Sequence, residues 1–298
     1  MTGAALPRRP GLRERLARRG LDGTTLLVLP AALAILALFV YPFIEGLVLS
    51  FLPKQGGPLA NYAKFFGDPY LWKTIPTTLG LAIPATLANI ALSVPVALRV
   101  RRMKRQRLLT TILVIPITLG TVLVAEGLLN YLGPQGWLNR TLMALHLIDR
   151  PVRLVHNYWG VLWSLVIAGF PFTFLLTLSY VSGIDPNLER AAATLGAGPR
   201  ARFRTVLLPL MASGLAITFC LSFVQAFAVY PSAVLVGAPA GSTRVISIAA
   251  FQAAYEVYDD SLASSIAMIM AAIQLVIVVL VLAGRSLFYR GPAGGGKG

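Results

Sequence analysis

Two carboxylates draw notice by where they lie. Glu45 and Glu126 are the only acidic residues inside the long apolar runs of this 298-residue chain, and none of its 26 lysines and arginines lies inside one. A carboxylate in hydrocarbon is costly, and it marks either a pathway or a site where it is paired. Glu45 stands near one end of its run, close enough to reach the interface. Glu126 is flanked by Ala125 and Gly127 with Asn130 one helical turn on, which leaves room for a solute or for a structural hydrogen bond. Trp163, Gln225 and Tyr230 are further side chains within such runs that could line the same path. The chemistry on offer is non-covalent: attraction of a polar solute, without bond making. His146 and His156 are too isolated for a metal site, Cys220 is single, and no Ser/His/Asp set occurs in the apolar runs. We therefore expect no catalytic and no metal-binding residues. The tail Gly291 to Lys297 spells most of a phosphate-binding loop, but Gly298 holds the Ser/Thr place and no helix follows, so we expect a flexible tail and no bound cofactor.

The elements that must position these residues are membrane spans. With 56% apolar residues, 12% charged residues and a mean hydropathy of +0.73, the chain is too apolar for a water-soluble globule. A net charge of +15 raises nucleic acid as a partner, but the charges lie in connections without aromatic interleaving, which argues against it. Six runs, Leu26–Ser50 and about 75–98, 108–132, 158–181, 211–236 and 261–284, have the length to cross a bilayer. They do not alternate as barrel strands do. The expected fold class is all-α, a polytopic membrane protein with six transmembrane helices. Pro84, Pro95, Pro116, Pro171 and Pro231 should kink them, shaping a cavity or merely bending a bundle.

Charge sets the orientation. Nineteen of the 26 basic residues fall in the N-terminal tail, the connections 99–107 and 182–210, and the C-terminal tail; seven fall in the other three connections. Positive charge is retained inside, so both termini and the connection between the fourth and fifth spans should be cytoplasmic. That connection is built like a soluble helix–turn–helix. Asp185 suits an N-cap, Pro186 the first helical position, and Gly196 the stop. Gly198-Pro199 should start a second short helix carrying Arg200, Arg202 and Arg204 and ending near Pro209.

This segment resembles the coupling loop of the membrane subunits of binding-protein-dependent ABC importers. Ala191-Ala192, Gly196, Val206 and Leu208-Pro209 fall in that loop's register over nineteen residues. The pattern's acid stands just before the alanines; here that place is Arg190, with Glu189 one earlier, which leaves open which of the two makes the polar contact. The resemblance implies an ATPase-coupling loop of Glu189, Arg190, Ala191, Ala192, Leu195, Gly196, Leu208 and Pro209, the alanines and Leu195 seating in a groove of the ATPase. It implies a multi-pass permease of a bacterial inner membrane that pairs with a second permease, as hetero- or homodimer. Two ABC ATPase subunits that use the ATP and an extracytoplasmic solute-binding protein complete the set. The implied layout is a cytoplasmic basic tail (1–24), a first helix and outer loop (25–74), a five-helix transporter core (75–285) and a flexible cytoplasmic tail (286–298). Gly241 to Arg244 and Asp259 to Ser265 are most similar to the polyamine-importing subgroup, with iron and thiamine importers close behind. A stand-alone secondary transporter or channel is the competing class; it would want more intramembrane charge and would not need the loop.

Overall fold

The computed structural model describes residues 23–288. The basic tail up to Asp22 and the glycine-rich segment from Tyr289 onward lie outside the described residues. Within them the chain is all helical, with six helices long and apolar enough to cross a membrane: Val28–Ser50, Pro69–Val100, Gln106–Ala144, Tyr158–Ser182, Pro199–Phe227 and Asp260–Gly284. The elements in order are α1 (Gly23–Ile35), α2 (Tyr41–Ser50), α3 (Ala60–Gly67), α4 (Pro69–Trp72), α5 (Thr74–Val100), α6 (Gln106–Leu132) and α7 (Trp137–Ala144). They continue with α8 (Tyr158–Ser182), α9 (Pro186–Thr194), α10 (Pro199–Arg202), α11 (Leu208–Phe227), α12 (Pro231–Leu235), α13 (Ile246–Tyr255) and α14 (Asp260–Phe288).

The centre of the bundle is α5 against α8, with α11 laid across both and α14 closing over α11, α13 and α2. Aromatic and branched side chains fill these seams: Phe65, Phe223, Phe227 and Ile266 in one cluster, Leu81, Val161 and Val245 in a second, and Phe174, Val181, Leu207 and Met211 near the α9 end. By contrast α6 buries only Val124 and Ala125, and the first span is bare along most of its length. A helix left this open within one chain is covered by lipid or by another protein.

The expected runs are interrupted at places set by proline and glycine. The run Leu26–Ser50 is α1 and α2 joined by a π turn, Leu36–Val40, in which the Tyr41 N–H reaches back five residues to the Leu36 carbonyl. The elbow's second helix does not end near Pro209. It runs from α10 through a second π turn, Phe203–Leu207, straight into α11. Both π turns stand immediately before a residue-proline pair, Tyr41-Pro42 and Leu208-Pro209. A proline ring clashes with the carbonyl four residues back, and one wide turn removes that clash without ending the helix. The run 211–236 is not one helix either. It stops at Phe227 and restarts as α12, because Pro231 cannot donate and disfavours helical dihedrals at Tyr230, which adopts φ −128°, ψ −57°. Inside α6, Gly120 leaves the helix altogether, at φ 70°, ψ 166°.

At the end of the bundle opposite α9, the connections are knit by Arg244. Its Nη1 donates to the Tyr70 carbonyl at 2.7 Å and its Nη2 to Gln252 Oε1 at 2.6 Å, while the guanidinium lies 3.7 Å from the centre of the Tyr70 ring. Burial pulls this guanidinium below its ordinary pKa, partly offset by Tyr70, Asp68 and Glu256.

Candidate functional site: the elbow and the mid-bundle notch

The elbow is made as its sequence dictates. Asp185 Oδ1 accepts from the Asn187 N–H at 2.9 Å, Pro186 fills the first turn, and α9 runs nine residues. Gly196 then takes φ +81°, which lets the Gly196 and Ala197 N–H groups close on the Ala193 and Ala192 carbonyls at 3.0 Å. The helix has two faces. Leu188, Ala191 and Leu195 point away from the bundle, and Leu195 is 88% exposed. Arg190 is also outside, held by Asn187 Oδ1 at 3.2 Å. Leu195 is thus a bare apolar prong at the end of a capped helix.

Glu189 faces the other way. It is buried, and its carboxylate is ion-paired with both Arg101 and Arg102 from the connection between α5 and α6. Arg101 also donates from Nη1 to the Val181 carbonyl at 3.0 Å, so one guanidinium ties the end of α5, the last turn of α8 and the elbow together. Burial, and then the neighbouring Arg102 charge, pull the Arg101 guanidinium below its ordinary value. Around this pair opens a cleft of about 580 Å³ that Arg190 and Arg202 also line. Within this chain Glu189 holds the elbow to the bundle, while Arg190 is exposed at the rim of the cleft. Arg101 and Arg102 were visible in the sequence only as retained positive charge. Nothing local links them to an acid 87 positions on. Leu208 and Pro209 sit in the first turn of α11, exposed, beside the π turn that joins them to the elbow.

The pathway candidates separate into groups. Glu126 and Asn130 are together on the open face of α6, with Asn130 Nδ2 donating to the Glu126 carbonyl at 3.0 Å and to its Oε1 at 3.4 Å. Glu45 is exposed on the first span, and Trp163 is 51% exposed on α8. Tyr230 lies in the gap between α11 and α12, its ring 4.8 Å from that of Phe251. Asn130 also lines an open pocket with Gln135 and Arg140, whereas Gln225 lines a smaller one inside the bundle. There it joins Asn89, Thr121 and Ser222 in a cavity of about 110 Å³, which shares the lining residues Thr121, Ala168 and Gln225 with a second of about 90 Å³ at Gly120. Asn89 is buried at 2% exposure. Its Nδ2 is 3.4 Å from the Leu165 carbonyl, and its Oδ1 has no partner. Sequence reasoning missed Asn89 because a lone asparagine in an apolar run has no periodic signature.

Residues 89–288 match the family described as binding-protein-dependent transport system inner membrane component. Similar proteins include the spermidine/putrescine transport system permease protein PotB of Salmonella typhimurium (strain SL1344), 30% identical over 190 residues. That match covers 60% of this chain and 66% of the relative, so the chain spans just under two thirds of that relative's length. PotB of Escherichia coli (strain K12) is 30% identical over 196 residues, 62% of this chain and 70% of the relative. Among solved structures, a permease chain of a bacterial alginate ABC transporter, in complex with an alginate pentasaccharide-bound periplasmic protein, superposes with a TM-score of 0.75. That likeness covers 91% of this chain and 95% of the other at 22% identity, and it concerns the fold.

Proposed function

This chain belongs to the binding-protein-dependent transport system inner membrane components, and we propose that it is the membrane-spanning permease subunit of an ATP-driven importer. It forms half of a solute pathway with a second permease, a copy of itself or a homologue. It takes its driving force from two ABC ATPase subunits and its cargo from an extracytoplasmic binding protein. Both termini and the elbow lie in the cytoplasm, and residues 75–285 are the working core. ATP is bound and hydrolysed by the partner ATPases, and this chain holds no cofactor. The cargo is a polyamine, a reading supported by the similarity to PotB proteins and by an acid without a buried base in the apolar spans. Iron or thiamine are the nearest alternatives.

The observation that carries this reading is the two-faced elbow. Its outer face offers Leu188 and Leu195 to a groove, while its inner face is ion-paired through Glu189 to the ends of two spans. A force applied to the prong is thereby delivered to the ends of α5 and α8 directly. Closure of the ATPase pair would carry the elbow with the groove it sits in, and the attached spans would rock to open the pathway outward. A stand-alone channel has no use for such a joint.

Two measurements test it. In proteoliposomes, uphill spermidine uptake should require the ATPases, the second permease and the binding protein; accumulation driven by this chain alone refutes the proposal. Cys220 is the sole cysteine and is buried, so a cysteine introduced at Leu195 reports cleanly. A membrane-impermeant thiol reagent should reach it only from the cytoplasmic side, and protection should appear when the ATPases are bound.

A further inference from the structure

We propose that the notch between α5, α6, α8 and α11 is a transient docking point for one primary ammonium group of the cargo. This rests on the polyamine reading above. Gly120 lies close to the midpoint of α6 and Asn89 close to that of α5, so the notch sits at mid-bilayer depth. A buried polar side chain at that depth must be satisfied by something.

The first observation is Asn89. It is buried, it lines the cavity, and its Oδ1 accepts nothing while its amide is only weakly engaged. Gly169 makes the space for it: a β-carbon at Gly169 would come within 2.6 Å of Asn89 Nδ2. The neighbouring hydroxyl of Ser222 has a partner in Thr173 at 2.9 Å, whereas the Asn89 oxygen has none. An unsatisfied buried acceptor costs about 1–3 kcal/mol unless a donor arrives.

The second observation is the break at Gly120. Its dihedrals, φ 70° and ψ 166°, fall in a region that only glycine occupies without strain. Packing does not demand glycine there, since a β-carbon would meet nothing within 4 Å. What the break achieves is to end one helical segment beside the notch, which Pro116 and Ile117 also line. The last carbonyls of a helical segment lack intrahelical donors, and that end carries partial negative charge. At Gly120 the carbonyls that end the first segment meet the N–H groups that begin the second, and no acid or base lines the notch.

Size and chemistry then fix the class of ligand. Spaces of about 110 and 90 Å³ hold an ammonium group with a methylene or two, but not a whole polyamine. An ammonium has three donors and no acceptor, so it can meet the unpartnered Asn89 oxygen and the Gln225 oxygen beside it. Neutral acceptors attract a cation without trapping it, as a pathway site must. Gln225, on the exposed lip, is placed to receive the group from the open side of α6 and hand it inward.

The test uses the complete importer in proteoliposomes with labelled spermidine and putrescine, comparing wild type with Asn89→Leu and Gln225→Leu. Gln225 is exposed, so its variant stays informative if the buried one misfolds. Polyamine taken up per ATP hydrolysed should fall about tenfold in each, the loss expected for one hydrogen bond to a charged group. Asn89→Asp should lower KM and turnover together, because a full charge holds the ammonium too tightly. If wild type imports polyamine and Gln225→Leu matches it in both KM and coupling ratio, the docking point is refuted while the solute reading stands. If the complete wild-type system imports no polyamine, the solute reading falls and the ammonium site with it.

Discussion

The two ends of this molecule each bury an arginine, and they hold it differently. At the Arg244 end, the guanidinium is met by neutral acceptors, the Tyr70 carbonyl and Gln252, and by the face of the Tyr70 ring. At the elbow end, Arg101 is met by a carboxylate on a separate helix, as well as by the Val181 carbonyl. Neutral acceptors and stacking give a short-range strap that depends on packing and little on charge. A buried ion pair is a different device. Its net stability is modest because desolvation opposes the attraction, yet separating it leaves a charge with no counterpart. The Arg244 end is thus built to stay closed. The elbow end is built so that the position of α9 and the positions of α5 and α8 are one variable.

Breaking the ion pair should have the largest effect. Glu189→Lys puts a third positive charge where Arg101 and Arg102 already meet, and leaves Arg101 buried with no counter-charge. Loss of one partner of a buried pair costs about 3–5 kcal/mol, far more than the elbow can absorb. Uptake should fall more than a hundredfold while the chain still inserts and ATP hydrolysis by the assembled complex becomes independent of the binding protein. The exchange Arg101→Glu with Glu189→Arg should recover part of the uptake. A Glu189→Lys chain that transports like wild type would sink the claim that this pair transmits force.

Arg244→Met comes next and should act on stability alone. It removes three hydrogen bonds and a stacked cation but keeps an unbranched apolar stem, so we expect about 2–3 kcal/mol of stability lost. Melting in detergent should drop by several degrees with the ratio of uptake to ATP hydrolysed unchanged. If that ratio falls as it does for Glu189→Lys, the two ends are equivalent and the distinction between strap and joint fails.

Much of this was legible in the sequence. The six spans were legible because twenty-odd apolar residues without a base have few other uses. The cap and the stop of α9 were legible because Asp185, Pro186 and Gly196 signal locally. Two features were not. The discontinuities at Gly120 and at Ala228 to Tyr230 depend on how a glycine or proline is accommodated, and the same residues elsewhere in the chain, such as Pro84 and Pro171, sit inside unbroken helices. The inward turn of Glu189 depends on a partner far away in sequence, which no periodicity encodes. Local chemistry was readable, whereas long-range pairing of charge was not.

A smaller effect is expected at the prong. Leu195→Asp removes about 1.5–3 kcal/mol of burial available on docking, so affinity for the ATPase subunits should weaken about tenfold or more. Detergent co-purification at graded concentration measures this, and unchanged affinity would mean that the exposed leucine docks nowhere.

The finest division lies within the ion pair itself. Arg101 and Arg102 meet the same carboxylate, but the side chain of Arg101 is 8% exposed and that of Arg102 is 61% exposed. Water and salt screen the second contact, and exposed pairs are worth about 0–1 kcal/mol. Arg102→Ala should therefore cost uptake less than about fivefold, and the deficit should vanish as salt is raised, because screening already removes that contact in wild type. Arg101→Ala should resemble Glu189→Lys and should be less sensitive to salt, because the Arg101 side chain is buried. Equal losses for the two alanine variants, with equal salt dependence, would show that total charge near Glu189 matters and that the buried geometry around Arg101 does not.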